Sequence, residues 1–247
     1  MSKLPEKLFV YDTETGGVDV ENDRILTCYA MIQNQDGSIE REWHWTIDPG
    51  VAEGFEVAKG ASDVHGMSTE WIAEHGRKDA RQAIHEIYGI LGNAQIKGVP
   101  IVAYNQRFDL SILHHELRRH GFEHGVMELV DRAKFYDATI HEKHRNKYVK
   151  GAGQRTLKNT CLRYGIEFDD EKAHAAEYDV IKTAELSWFF LRKEKLTIDE
   201  LQPLLPKWKE EQDKSLQAFF TKDGRKNDDG TPVVIDRGWP LITKKGN

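Results

Sequence analysis

Asp12 and Glu14 stand two residues apart directly after an apolar and aromatic run, residues 8 to 11. If that run is a strand, both side chains point to one face, about 6 to 7 Å apart along the chain. Two anions then share one small space, which suits a hard divalent cation with its preference for oxygen ligands. The same pair could instead cap a turn before Gly16-Gly17, so it decides little alone. Asp109 follows a second apolar run, residues 101 to 104, as Asp12 follows the first. Its bland use would be a helix N-terminal acid facing the macrodipole. Asp179 lies beside an apolar stripe of helical spacing, and His174 precedes it by five residues. That separation is about 140° on a continuous helix, so His174 belongs on the loop before the helix, from which it can swing over the site that Asp179 enters. Four carboxylates suit two Mg²⁺ or Mn²⁺ ions. Held about 4 Å apart, such a pair activates a water on one side of a phosphodiester and stabilises the leaving oxygen on the other. A histidine with a near-neutral pKa can take the proton from that water.

The elements that must position these groups are legible in the patterning. Residues 8 to 11, 25 to 32 and 39 to 47 read as strands, and Asp36-Gly37 between the last two is a hairpin signal that makes them antiparallel neighbours. Ile84, Ile87, Tyr88 and Leu91 recur at helical spacing, with Gly92-Asn93 as the expected stop. Residues 101 to 104 form a short continuous apolar run, as in a strand buried on both faces. Asn105 follows as the expected N-cap of a helix carrying Leu110, Leu113 and Leu117 on one face and ending at Gly121, which places Asp109 in the first turn. Tyr178, Ile181, Ala184, Trp188 and Leu191 mark an amphipathic helix of about four turns. Strands, helix, buried strand, helix, helix is an α/β pattern, a mixed sheet covered by helices. From about Lys193 the character shifts. Pro203 and Pro206 punctuate the chain, residues 208 to 220 look helical, and a polar loop leads to short extended segments at 233 to 235 and 239 to 242. We expect one domain over residues 1–193 and an appendage over 194–247.

Composition bounds the class. The chain has 247 residues, enough for one well-buried core and an appendage. With a formal net charge of -6, it is not a protein that coats duplex nucleic acid by bulk electrostatics. A carboxylate site contributes negative charge of its own, which bound cations would neutralise. No apolar leader opens the sequence and no run approaches the ~20 residues that span a bilayer, so a cytoplasmic protein without membrane contact is expected. Cys28 and Cys161 lie far apart without a metal pattern and are expected to be buried, reduced thiols.

Three segments carry a resemblance: residues 9–17 (FVYDTETGG), 104–109 (YNQRFD) and 174–179 (HAAEYD). In type, order and spacing they resemble the three motifs of the DEDDh family, the DnaQ-like proofreading exonucleases of ribonuclease H-like fold. The position that holds a tyrosine in the sister group, four residues before the last aspartate, is Ala175 here. The resemblance covers about residues 6 to 193. It implies a ribonuclease H-like mixed sheet, antiparallel in its first three strands, flanked by helices and followed by a C-terminal extension. It also implies a 3′→5′ exonuclease that releases nucleoside 5′-monophosphates, with Asp12 shared by both metals, Glu14 and Asp179 on the nucleophile-side ion, Asp109 on the second ion directly or through water, and His174 as general base. Residues 61 to 67, with His65, Gly66 and Met67, resemble the family's segment that contacts the 3′-terminal nucleotide. Thr13, Thr15, Gly16, Asn105 and Phe108 are further expected substrate contacts. The expected partner is a nucleic acid with a free 3′ end, single-stranded DNA first, with RNA ends or short oligonucleotides as the alternative, because metals contact phosphate and leave the sugar to be read elsewhere. A catalytically silent binding module would have lost at least one of the five residues. The tail resembles extensions of actinobacterial and phage exonucleases. Its expected role is an arm packed on the core, with a polymerase-binding or self-association surface as the alternative.

Other signals are discounted. His141 and His144 are spaced by three and read as a solvated face, and His114-His115 read as surface histidines. Residues 143 to 166 hold Lys143, Arg145, Lys147, Lys150, Arg155 and Lys158 without an acid, which reads as a solvated face with a modest lean towards a substrate-backbone path. Trp43, Trp45 and Trp71 are expected to be ordinary core or surface aromatics.

Overall fold

The computed structural model of the chain describes residues 4–151, 153–173, 175–227 and 229–242. Three strands open the fold: β1 (Lys7–Thr15), β2 (Ile25–Asn34) and β3 (Ile39–Thr46). Gly37, at φ 93, turns β2 back into β3, and the three pair antiparallel. Helices α1 (Lys59–His65), α2 (Thr69–His75) and α3 (Ala80–Ile96) then cross over to β4 (Ile101–Ala103), parallel to β1. Helices α4 (Gln106–Arg119) and α5 (Met127–Arg132) lead to β5 (Phe135–Asp137), parallel to β4. The sheet order is β3-β2-β1-β4-β5, the mixed sheet of a ribonuclease H-like α/β fold. Helices α6 (Ala138–Arg145), α7 (Leu157–Arg163) and α8 (Ala176–Lys193) follow, and α9 (Ile198–Leu201) and α10 (Leu205–Asp223) begin the C-terminal segment.

Strand alternation sorts β1 between two hydrophobic layers. Leu8 and Val10 pack with Val180, Ala184, Trp188 and Leu191 of α8. Phe9 and Tyr11 pack with Ile84, Ile87 and Leu91 of α3 and with Leu110, Leu113 and Leu117 of α4. Fully burying each such side chain is worth about 1.5–3 kcal/mol, so a one-residue slip, which would exchange the two faces, is strongly disfavoured. The register therefore directs Asp12 and Glu14 to the α8 face and Thr13 to the α4 face. On the ladder Asp12 stands opposite Tyr29 and Glu14 opposite Thr27.

One helix boundary differs from the sequence expectation. Helix α3 runs through Gly92 and Asn93 to Ile96, because Ala94 extends its buried face, and the chain turns only at Gly98 with φ 65. Asn105 does sit at the N-cap of α4, but its side chain makes no capping hydrogen bond. After Lys193 the chain keeps contributing to the core, with Ile198, Leu201 and Leu205 buried in the α8 layer. Gln202 pairs the outer edge of β5, accepting from the Phe135 amide (2.9 Å) and donating to the Phe135 carbonyl (3.0 Å). Both cysteines are free and buried, and burial pushes the Cys161 thiol up to about 12. Among the described residues, no helix is long and apolar enough to cross a membrane.

Candidate active site

β1 is buried on both faces along residues 8 to 11, and its polar residues begin just beyond Val10, where its pairing with β4 stops while its pairing with β2 continues. Asp12 and Glu14 leave the strand there, half-buried, on the face covered by α8. Asp179 comes from the first turn of α8. Asp12, Glu14 and Asp179 each offer a carboxylate oxygen, and these atoms all lie within 4.8 Å of one another. Burial, then repulsion from Asp109, Glu14 and Asp179, holds Asp12 well above the usual carboxylate range. Burial, then repulsion from Asp179 and Asp109, pushes Glu14 up to about 8. A trio of oxygen donors that repel one another in this way fits a hard divalent cation, which would replace their protons with positive charge.

Asp109 reaches the site from the opposite layer and is not part of that trio. It is 3% exposed in the first turn of α4. Its Oδ1 accepts from the Thr13 amide (3.1 Å) and from the Thr13 hydroxyl (2.6 Å), residues 96 apart in sequence. Burial raises its carboxyl to about 7 against the lowering effect of those Thr13 bonds. Thr13 is itself buried, and the interaction it makes here is with Asp109. His174 lies outside the described residues.

The remaining predicted contacts lie at the end of β1, around the end of α1 and at the start of α4. Thr15 is buried and its hydroxyl donates to the Gly17 carbonyl (2.7 Å). The Met67 amide donates to His65 Nδ1 (3.1 Å), which leaves Nε2 to donate to the Thr15 carbonyl (3.2 Å). Gly66, at φ 77, closes α1 in the left-handed region and sets that imidazole's approach. Gly16 allows the loop before α1 to come close: a Cβ there would meet the Phe55 ring at 2.4 Å. Asn105 is exposed, while Phe108 is half-buried against the α3–α4 layer.

Sequence reasoning missed Asp137. Asn105 is the one non-glycine residue with positive φ (65°) among the described residues, and no side chain of its own caps α4. The buried Asp137 carboxylate, at the end of β5, does this instead. Its Oδ1 accepts from the amides of Thr139 (2.7 Å) and Asn105 (3.3 Å), and its Oδ2 from that of Gln106 (3.0 Å). It thereby anchors the turn from which Asp109 projects. Asp137→Ala is expected to cost about 1–3 kcal/mol, the scale of leaving buried donors unpaired. Urea unfolding measures this, and a loss below about 0.5 kcal/mol would mean that the turn is held by other groups.

Other expectations are corrected by contacts. His141 is fully buried, with Nδ1 2.7 Å from the Tyr136 hydroxyl and Nε2 3.2 Å from Glu194, under Trp208 of α10, on which His144 stacks. His114 is half-buried and its Nδ1 accepts from the Val126 amide (3.3 Å). Much of the basic stretch is spent internally. Arg155 and Arg163 both pair with buried Glu142, Arg145 with Glu194, and Lys158 with Asp170.

Residues 9–187 match the RNase_T family of exonucleases. Ribonuclease T of Vibrio vulnificus (strain YJ016) is 29% identical over 185 residues, covering 72% of this chain and 80% of that protein. Ribonuclease T of Shewanella frigidimarina (strain NCIMB 400) is 30% identical over 186 residues, covering 72% of this chain and 78% of that protein. Among solved structures, E. coli exonuclease I in complex with a dT13 oligonucleotide is similar in fold, with a TM-score of 0.57 at 18% identity over 75% of this chain. The chain spans 41% of that protein's length. The matched stretch takes in all four acidic residues together with the sheet and helices that carry them, and the chain belongs to the DEDDh 3′→5′ exonuclease family.

Proposed function

We propose that this chain removes nucleoside 5′-monophosphates from the 3′ end of single-stranded DNA, with Asp12, Glu14, Asp109 and Asp179 holding two divalent cations, Mg²⁺ or Mn²⁺, and His174 as general base. The observation that carries this reading is the approach of the Asp12, Glu14 and Asp179 oxygens to within 4.8 Å on two elements that are rigidly packed together. When bound, the cations supply positive charge against a phosphodiester and its attacking and leaving oxygens. β1 and α8 hold three carboxylates in fixed relation, so little rearrangement is needed as the substrate enters. Thr13 keeps Asp109 Oδ1 turned towards the end of β1. His174 takes the proton of the attacking water, and His174→Ala is expected to lower the rate about 10²-fold or more at neutral pH. Wild-type rates for that variant in a single-turnover assay would remove the histidine from the mechanism. His65, Gly66 and Met67, with Thr15, Gly16, Asn105 and Phe108, would contact the terminal nucleotide.

Trimming of RNA 3′ ends is a second reading, supported by similarity to proteins named Ribonuclease T. A gel assay on 5′-labelled DNA and RNA of equal sequence, with Mg²⁺, Mn²⁺ or EDTA, tests both. A metal-dependent ladder shortening from the 3′ end supports the proposal, and the strand degraded faster identifies the sugar. Intact strands in every lane would overturn it.

A further inference from the structure

Beyond the family match, the chain returns to the helix that carries Asp109. Arg107 and Ser111 flank Asp109 on α4, one turn apart. The Arg107 guanidinium donates to the Asp236 carbonyl (3.0 Å), pairs with the Asp236 carboxylate, and lies 4.0 Å from the Asp213 carboxylate of α10. Ser111 Oγ donates to the Arg107 carbonyl (2.6 Å) and accepts from the Ile242 amide (2.8 Å). The span between these two anchors is itself fastened. The Gly238 amide donates to Asp236 Oδ1 (2.8 Å), Trp239 packs against both hydrophobic layers, and Leu241 and Ile242 pack in the α3–α4 layer. Gln217 of α10 holds the approach, accepting from the Ile235 amide (2.7 Å) and donating to the Val233 carbonyl (3.0 Å).

We infer that segment 236–242 is a latch that positions Asp109, with Arg107 and Asp236 as positioning residues. The side chains of Arg107, Asp213 and Asp236 are only 12%, 8% and 9% exposed, and Lys209 also pairs with Asp213, so the loss of Arg107 or Asp236 unbalances a buried charge network. The first turn of α4 cannot then keep its place, and Asp109 Oδ1 moves relative to Thr13. The Gly238 and Ile242 amides and the Asp236 carboxylate all bond inside the molecule, which makes this segment part of the site's scaffold rather than an arm reaching for a partner. The inference rests on Asp109 serving the site as proposed above.

The test uses the full chain with Asp236→Asn, Arg107→Gln, the double variant, and Asp109→Asn as reference. A misplacement of about 1 Å can cost on the order of 10²-fold in rate, so a fall in kcat of roughly tenfold or more is expected for each latch variant, with KM within about twofold. Amide hydrogen exchange over residues 105 to 113 should accelerate about tenfold while that of β1 and α8 does not. Because the two residues act as one unit, the double variant should be no worse than the worse single one. The inference fails if Asp109→Asn is inactive while Asp236→Asn and Arg107→Gln keep wild-type kcat and α4 exchange. It also fails if kcat falls only in step with the fraction of folded protein. An active Asp109→Asn enzyme would sink the site reading first and the latch with it.

Discussion

Asp12→Ala is expected to lower kcat by about 10³-fold or more, the equivalent of several kcal/mol of transition-state stabilisation, while the chain stays folded. Asp12 is repelled by all three other acidic residues, Asp109, Glu14 and Asp179, and its carboxylate lies within 4.8 Å of those of Glu14 and Asp179. Its backbone position is set by Leu8 to Tyr11, which are buried and do not depend on the carboxylate. Removing this carboxyl removes a group that the metal-free native state must hold protonated or desolvate as an anion, and in EDTA at neutral pH the variant should melt at or above the temperature of the wild-type protein. Single-turnover cleavage of a 5′-labelled oligonucleotide measures the first effect, and calorimetry in EDTA the second. Substantial turnover by a well-folded Asp12→Ala protein would remove this cluster as the seat of the reaction.

The second large effect joins metal, pH and stability. Without cations, the native protein keeps protons on Asp12, on Glu14 up to about pH 8 and on Asp109 up to about pH 7. The unfolded chain releases the same protons near pH 4. Over this range the native state binds more protons than the unfolded state, so stability falls as pH rises from about 4 through about 8. The loss is on the order of a few kcal/mol once solvent screening of the half-exposed groups is allowed for. Divalent cations bind the deprotonated carboxylates, so the stabilisation they bring should grow across the same interval. Melting curves at pH 5, 6, 7, 8 and 9, in EDTA and in excess Mg²⁺ or Mn²⁺, test this. A gap between the two conditions that does not change with pH would contradict it. Buried groups elsewhere, such as Asp137 and His141, titrate in both conditions and cancel in the comparison.

The locally encoded parts of the molecule were legible in its sequence. Apolar runs with period two and stripes of helical spacing marked β1, α4 and α8 and placed Asp12, Glu14, Asp109 and Asp179 at their ends. Periodicity reports which face of an element is buried, and so it also indicated that Asp12 and Glu14 share a face. It does not report what lies across that face. The pairing of Thr13 with Asp109, the capping of α4 by Asp137 and the return of Asp236 to Arg107 join residues 96, 31 and 129 positions apart. Such pairs leave no local pattern, because a lone aspartate on a strand end or in a polar tail is also an ordinary solvated residue. For the same reason the buried His141 read as solvated and Arg155, which pairs with buried Glu142, read as part of a solvated basic face. The sequence by itself thus determined the carboxylates and the strand and helices that carry them, through the burial of alternating apolar side chains. Only the tertiary structure decided how those elements are held at their ends, since buried charge and backbone groups are satisfied by whatever the fold brings within hydrogen-bond reach.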